Sequence, residues 1–227
     1  MNIGDVTAAL SSFRSRYAVQ VADSAELIQE AYCLRHQVYC TERGYEPGTG
    51  GLETDMFDAH SSHAVVRERH NGRVVGTVRL ILPLADNQRS LPTQQLCTPG
   101  LLDGLPIRTT AEVSRFAVSK DRRGADAMAD SLLRLSLVQG AVRMSRDHGV
   151  THWCAVMERS LLRLLRTTAI HFSPVGPCVE YHGLRQPAVA DLGAMLARME
   201  QEQPKFWHFI TGSGEFWPSQ MEYSEAA

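Results

Sequence analysis

Residues 62–82 restrict the fold more than any other part of the chain. Two β-rich runs, SHAVVRER and RVVGTVRLIL, flank Asn71-Gly72. Both turn residues tolerate positive φ, so the pair predicts an antiparallel hairpin and makes a sheet the frame of the molecule. A third β-rich run, RTTAEVSRFAVS at 108–119, reads as a central strand, and THWCAVM at 151–157 as a buried one. YAVQVA at 17–22 predicts a first strand. Asp23-Ser24 then supply N-cap oxygens for a helix carrying Ala25, Ile28, Ala31, Leu34 and Val38. After the central strand, Met128, Leu132, Leu135, Val138 and Val142 fall on one stripe of a long helix over about 126–147, with Gly149 as its stop. The remainder reads as a short amphipathic helix (ERSLLRLLRTTA), a strand (GPCVEYHG), a helix (VADLGAMLARMEQ) and an aromatic-rich end (FWHFITGSGEFW).

This order suits the α/β class: one mixed central sheet with helices on both faces. A chain of 227 residues supports a single core. The expected division is an N-terminal extension over 1–16, one domain over 17–210 and a C-terminal tail over 211–227. Lys and Arg number 23 against 25 Asp and Glu, a net charge of −2, so no global field draws nucleic acid or anionic lipid. An acidic partner would need a local basic patch. The five cysteines are odd in number and lack any CxxC pair, which points to reduced thiols in a cytoplasmic protein. His60-x-x-His63 lies near Asp58 without the rest of a ligand set, so no metal is expected. No signal segment or membrane-spanning stretch is legible.

Four clusters carry charge where chemistry could use it. Arg35 and Tyr39 are spaced i, i+4 and share a helix face. Glu53-x-Asp55-x-x-Asp58 sets three carboxylates at the end of a Gly-rich loop, 44–58, an arrangement that reads equally as a solvated acidic run. Arg79 is a lone charge in an apolar strand. Glu112-x-x-Arg115 lies within the central strand, where i and i+3 face opposite ways. The two can share a face only if a bulge re-aims one of them. Buried charges need partners, and Arg79, Asp55 and Asp58 are candidates, either as a structural ion network or as part of a site.

The order and spacing of LRHQVYCTERGY, ETDMFD, VVGTVRL and EVSRFAV resemble the acyl-homoserine-lactone synthase family and its relatives. Those relatives include the long-chain N-acyl amino acid synthases and, nearest in texture, the acyltransferases associated with PEP-CTERM/exosortase systems. The resemblance covers about residues 17–200 and implies a GNAT-like N-acyltransferase. It implies transfer of a long fatty acyl group from an acyl carrier protein or coenzyme A thioester to the amine of an amino acid or similar small molecule. No permanently bound cofactor is expected. Carried over, the catalytic set is Glu112, Arg115, Arg79, Asp55 and Asp58, and the substrate region Arg35, Tyr39, Tyr45, Glu53, Ser114, Phe116 and Trp153. Tyr45 stands where the family usually has Trp, a departure that weakens the expectation of S-adenosylmethionine recognition. Donor binding falls to Val118, Lys120, Arg122, Arg123 and Gly124, whose basic turn before a helix suits an acidic carrier. That turn matches the GNAT pyrophosphate loop only in part.

The acyl chain is expected between the central strand and THWCAVM, among Phe116, Val118, Trp153 and Val156, with Leu132, Leu135 and Leu162 behind. No Ser/Cys–His nucleophile motif is present, so attack is expected to be direct, without an acyl-enzyme. The other readings are a homoserine-lactone synthase and a non-catalytic module that binds acyl thioesters. Peripheral membrane contact through a lipid product completes the expectations.

Overall fold

The β-rich runs assemble into one eight-stranded mixed sheet. The computed structural model describes residues 3–45, 48, 50–84, 90–122 and 127–217. Its strands are β1 (Tyr17–Val21), β2 (Ser61–Glu68), β3 (Val74–Ile81), β4 (Thr110–Val118), β5 (His152–Met157), β6 (Ser173–Pro174), β7 (Val179–Glu180) and β8 (Leu184–Asp191). Their order is β1-β2-β3-β4-β5-β8-β6, with β7 paired to β8. All neighbours are antiparallel except β4 and β5. Asn71-Gly72 turn the hairpin through a wider loop than the sequence suggests. Only Gly72 takes positive φ, 72°. Asn71 works through its side chain instead: Nδ2 donates to Glu68 Oε2 (3.0 Å) and Oδ1 accepts from Arg73 N (2.9 Å).

The helices are α1 (Ile3–Arg16), α2 (Ala25–Arg35), α3 (Pro92–Leu96), α4 (Ala127–Asp147), α5 (Arg159–Arg166), α6 (Leu192–Glu202) and α7 (Pro204–Ile210). The Ser24 hydroxyl accepts from Leu27 N at 3.2 Å, as its N-cap chemistry predicts. The apolar stripe of α4 packs across β1 to β4 and, with α5, α6 and α7, encloses the main core. On the opposite face α2 covers β2 and β3, while Leu91 at the start of α3 joins Ile81 and Cys154 in a smaller cluster. A Cβ at Gly140 would lie 2.6 Å from the Ala64 Cβ, so glycine is what lets α4 touch β2. Residues 3–16, expected as an extension, join the domain: Phe13 is buried and stacks on Tyr17, ring centroids 4.7 Å apart. Among the described residues no helix is long and apolar enough to cross a membrane.

The C-terminal third departs from expectation at one strand. GPCVEYHG supplies only the two residues of β7, whereas LRQPAVAD forms β8 and pairs along all of β5. Pro187 hides that strand, because proline removes a ladder donor. Its carbonyl still accepts from Val175 N at 2.9 Å. The helix begins only at Leu192, after Asp191 caps it by accepting from Ala194 N at 3.0 Å.

Candidate active site

The site begins where the sheet comes apart. β4 and β5 pair only from Thr110/His152 to Glu112/Cys154. Beyond that point β4 stays with β3 and β5 with β8, and a cleft opens between the two halves. In the same stretch the β3–β4 register slips: Arg79 faces Ser114 but Thr77 faces Ala117, so β4 carries one extra residue. This is the bulge that the Glu112-x-x-Arg115 spacing requires. Arg115 takes φ 49°, a left-handed conformation that non-glycine residues rarely adopt. Simple alternation would send Arg115 with Val113 toward α4. The bulge turns it back to the face of Glu112 and Ser114.

There it completes a closed ring of charges. Arg35 donates through Nε to Glu53 Oε2 (2.5 Å) and through both Nη atoms to Asp58 (2.7 and 3.0 Å). Arg79 donates to Asp58 Oδ1 (2.7 Å) and to both oxygens of Asp55 (2.6 and 2.9 Å). Arg115 donates to Asp55 Oδ2 (2.9 Å) and, by Nε and Nη2, to Glu53 (2.7 to 3.1 Å). Each carboxylate bridges two arginines and each arginine two carboxylates, so three positive charges are balanced by three negative ones. Burial alone would raise the Glu53 carboxyl, but hydrogen bonds from Arg115 and Arg35 outweigh it and hold it at about 2. Asp58 is likewise held well below the usual range, against its burial, by Arg35 and Arg79. A local capping box shapes the acidic loop: Asp55 accepts from Phe57 N and Asp58 from Asp55 N, at 2.9 and 2.8 Å.

Glu112 stands outside the ring. Its Oε2 accepts from Thr93 N at 2.7 Å, and Oε1 has no hydrogen-bond partner among the described residues. Burial pushes its carboxyl up to about 7, the opposite of Glu53 a few residues away in space. Two carboxylates in one site are thus separated in role by environment: Glu53 is permanently charged, Glu112 poised near neutrality. Cys154 Sγ lies 3.9 Å from Glu112 Oε2, fully buried, and burial with the nearby Glu112 raises its thiol well above the ordinary value. A thiol held protonated in that way is no nucleophile.

The cleft has a volume of about 320 Å³ and runs through the gap between the faces. On the α2/α3 side it is lined by Tyr39, Tyr45, Glu53, Asp55, Phe57, Arg79, Glu112, Ser114, Arg115 and, by the parity it shares with Cys154, Val156; on the other by Val118, Arg134, Met157, Leu161 and Leu164. Phe116 also lines it.

Several expected residues fall elsewhere. Trp153 points into the main core, its Nε1 donating to Ser145 Oγ at 2.8 Å and its ring stacked on Phe172. Trp153 lies where β5 is still paired to β4, and of β5 only Val156 and Met157, past the point where the strands part, reach the cleft. Leu132 and Leu135 are core residues beneath α4, and Leu161 and Leu164 replace Leu162 on the cleft wall. Arg35 is wholly buried and Asp58 nearly so, and neither lines the cleft, so both act through the ring. Lys120 Nζ donates to the Glu42 carbonyl at 3.1 Å. The Arg122 side chain, Arg123 and Gly124 lie outside the described residues. Among the described residues no group of His, Cys, Asp and Glu could hold a metal ion. Thr93, Arg43, Glu158, His182 and Arg185 belong to the site and were not foreseen. Arg43 lies inside LRHQVYCTERGY, but the others come from segments with no motif of their own.

Residues 34–133 match the family model of the acetyltransferase (GNAT) domain. The fold is that of the AHL synthase LasI: 21% identity, TM-score 0.62, over 81% of this chain and 92% of that one. It is likewise that of BjaI, a CoA-dependent acyl-homoserine lactone synthase solved with SAM and isopentyl-CoA, at 20% identity and TM-score 0.59 over 87% and 88% of the two chains. FeeM, an N-acyl amino acid synthase from uncultured soil microbes, aligns at 12% identity and TM-score 0.59 over 81% and 94%. No curated protein matches by sequence. The single GNAT-like domain and the resemblance to these two enzyme groups therefore hold at the level of fold.

Proposed function

We propose that the protein is an N-acyltransferase that moves an acyl group from a thioester donor to a small amine, with Glu112 as the base. The observation that carries this reading is a carboxyl poised at about 7 where two parallel strands part, one oxygen fixed by Thr93 and the other without a partner among the described residues. The donor's thioester enters from the α4/α5 face, the acceptor from the face of the charge ring. The amine nitrogen attacks the carbonyl carbon, the oxyanion forms, the C–S bond breaks, and the thiolate leaves. Glu112 removes the amine proton, directly or through a water. An α-amine with pKa near 8 needs no stronger base at neutral pH.

Past Glu112, the N–H groups of β4 that face β5 have lost their strand partner. Donors released in this way can stabilise an oxyanion by about 3 kcal/mol each. The ring holds the bulge, and with it these donors and the Nη1 of Arg115, which has no partner among the described residues, in one place. The apolar wall of Val118, Met157, Leu161 and Leu164 suits a fatty acyl chain, with each buried methylene contributing about 0.8 kcal/mol. Donors of both kinds, coenzyme A and acyl carrier protein, fit this reading, as does an amino acid acceptor. The tie to PEP-CTERM/exosortase systems rests on sequence texture. Mass spectrometry of products from acyl thioesters and amines tests the proposal. An N-acyl amide whose formation is lost in Glu112→Gln is expected, and absence of turnover with any acyl thioester would favour a binding module.

A further inference from the structure

A second cavity, of about 330 Å³, lies where α1 and the segment after α7 meet β1 and α4. None of its lining residues also lines the cleft. Phe13, Tyr17 and Phe209 give it an aromatic wall, with Phe13 stacked on Tyr17 and edge-on to Phe209 (ring centroids 6.1 Å apart). Arg14 and Arg69 give it charge. The Arg14 guanidinium lies over the Phe209 ring, 5.3 Å from its centroid. Arg69 Nε donates to the carbonyls of Arg14 (2.8 Å) and Tyr17 (3.2 Å). A third guanidinium sits beside the cavity. Arg143 follows Gln139, a lining residue, by four positions on one face of α4. Its Nη1 donates to the Val19 carbonyl at 3.1 Å and its guanidinium lies 4.7 Å over the Phe216 ring, and both of those residues line the cavity as well.

These three arginines lack what the ring arginines have. Among the described residues none of them pairs with a carboxylate. Asp147, at the end of α4, is taken by Arg146 (2.6 and 2.9 Å). Each arginine spends at most one nitrogen on the protein: Arg69 caps the end of α1, and Arg143 caps a carbonyl of the edge strand β1. All three nitrogens of Arg14, both Nη atoms of Arg69, and Nε and Nη2 of Arg143 have no hydrogen-bond partner among the described residues. The Arg143 Nε is buried as well, which costs free energy as long as nothing accepts from it. In a chain with a net charge of −2 this cluster is a local exception. Guanidinium N–H groups at this density suit phosphate oxygens, which accept several charge-assisted bonds at once, whereas a single carboxylate would meet fewer of them. The aromatic wall suits an organic part. The volume falls at the lower end of small-molecule sites, about 300–1,000 Å³.

We propose that this cavity binds a small organic phosphate, its phosphoryl oxygens held by Arg14, Arg69 and Arg143 and its organic part set against Phe13, Tyr17 and Phe209. The site is separate from the cleft and stands independently of the acyl-transfer reading.

Calorimetric titration of the intact protein with AMP, inorganic phosphate and adenosine tests it. AMP should saturate one site with a Kd of about 1 mM or tighter, weakening as salt rises. Inorganic phosphate should bind more weakly, and adenosine at least about tenfold more weakly than AMP. Arg14→Gln should weaken AMP by about tenfold, and Arg14→Gln with Arg69→Gln by more. Arg14 loses no hydrogen bond within the protein, so its variant keeps the fold even where Arg69→Gln uncaps α1. No saturation by AMP up to about 10 mM overturns the proposal. So does AMP bound no tighter than adenosine or than inorganic phosphate. An AMP affinity unchanged in Arg14→Gln and in the double variant places the phosphate elsewhere, and overturns it too.

Discussion

Glu112→Gln should cost the protein its activity and make it more stable at alkaline pH. In the folded chain burial lifts the carboxyl from 4.5 to about 7. At 1.36 kcal/mol per pH unit this is about 3 kcal/mol of difference between the two protonation states. The sign follows from which state holds the proton. Between the two values the folded form keeps it and the unfolded form has lost it, so wild-type stability falls as pH rises. The contribution is fully present below 4.5 and is gone above about 7. Glutamine is neutral and nearly isosteric, and its carbonyl can still accept from Thr93 N. Its amide adds one donor that must find water in the cleft, a cost of about 1 kcal/mol. The net expectation at pH 8 is a gain of about 2 kcal/mol, or about 4–8 °C in Tm for a chain of this length. At pH 4 the gain should vanish or reverse slightly. Calorimetric scans of both proteins from pH 4 to pH 8 read this directly. A difference in Tm that does not change with pH, or a variant less stable at pH 8, refutes the argument. In the same series wild-type kcat should rise with pH through about 7, while the variant loses kcat far more than it changes KM.

Three further outcomes follow from the ring and the cleft. Arg35→Met removes a buried guanidinium from the cleft's foundation and leaves Glu53 and Asp58 each with one partner, a loss of about 3–5 kcal/mol and about 6–20 °C in Tm; a calorimetric Tm within 3 °C of the parent would show that the ring is not a unit. At Arg115 the usual strand preference should invert: glycine accepts the φ of 49° freely, so Arg115→Gly should be more stable than Arg115→Ala by about 1 kcal/mol in chemical denaturation, although both lose the ring contacts. Equal stabilities, or alanine ahead, would mean that the bulge relaxes once the arginine is gone. Val156→Phe narrows the cleft beyond Glu112 and should shift donor preference toward shorter acyl chains, by a factor that grows with each methylene excluded; a flat profile from butyryl to palmitoyl in the wild type refutes an acyl-binding wall.

The sheet was legible because hairpin, central strand and buried strand each carry their own local pattern, and α4 because its stripe is long. β8 was not, since Pro187 breaks the strand signal and the helix-forming run after it extends the helical pattern backward. The charged clusters could be named from the sequence, and a bulge at Arg115 could be demanded from parity alone. Their grouping could not. Glu112 and Arg115 look like a pair because they are close in sequence, yet Arg115 belongs with Glu53 and Asp55, while Glu112 answers to Thr93 in a segment that reads as mere excursion. The bonds of Arg43 and Arg185 to Glu158 at the cleft were further out of reach, since these residues lie on three segments brought together only by the fold.

The separation of Glu112 from the ring is what gives the site two kinds of carboxylate. A carboxylate that shares two guanidiniums cannot serve as a base, because the partners that keep it charged also keep it from accepting a proton: Glu53 at about 2 is too weak a base for any amine. Had Arg115 pointed with Val113, as strand parity dictates, a guanidinium would be buried against apolar α4 without a partner, and Glu53 would hold only Arg35. The bulge averts both outcomes at the cost of one strained residue, about 1–3 kcal/mol, offset by the four hydrogen bonds from Arg115 to Glu53 and Asp55. It also draws the arginine's charge into the ring, away from a direct bond to Glu112. Burial of the Glu112 carboxyl then outweighs its contacts with Thr93 and the more distant charges of Arg79 and Arg115, and it sits at about 7, where it can take up and release a proton. The bulge and the ring therefore form one device, and the proton-accepting capacity of Glu112 depends on both.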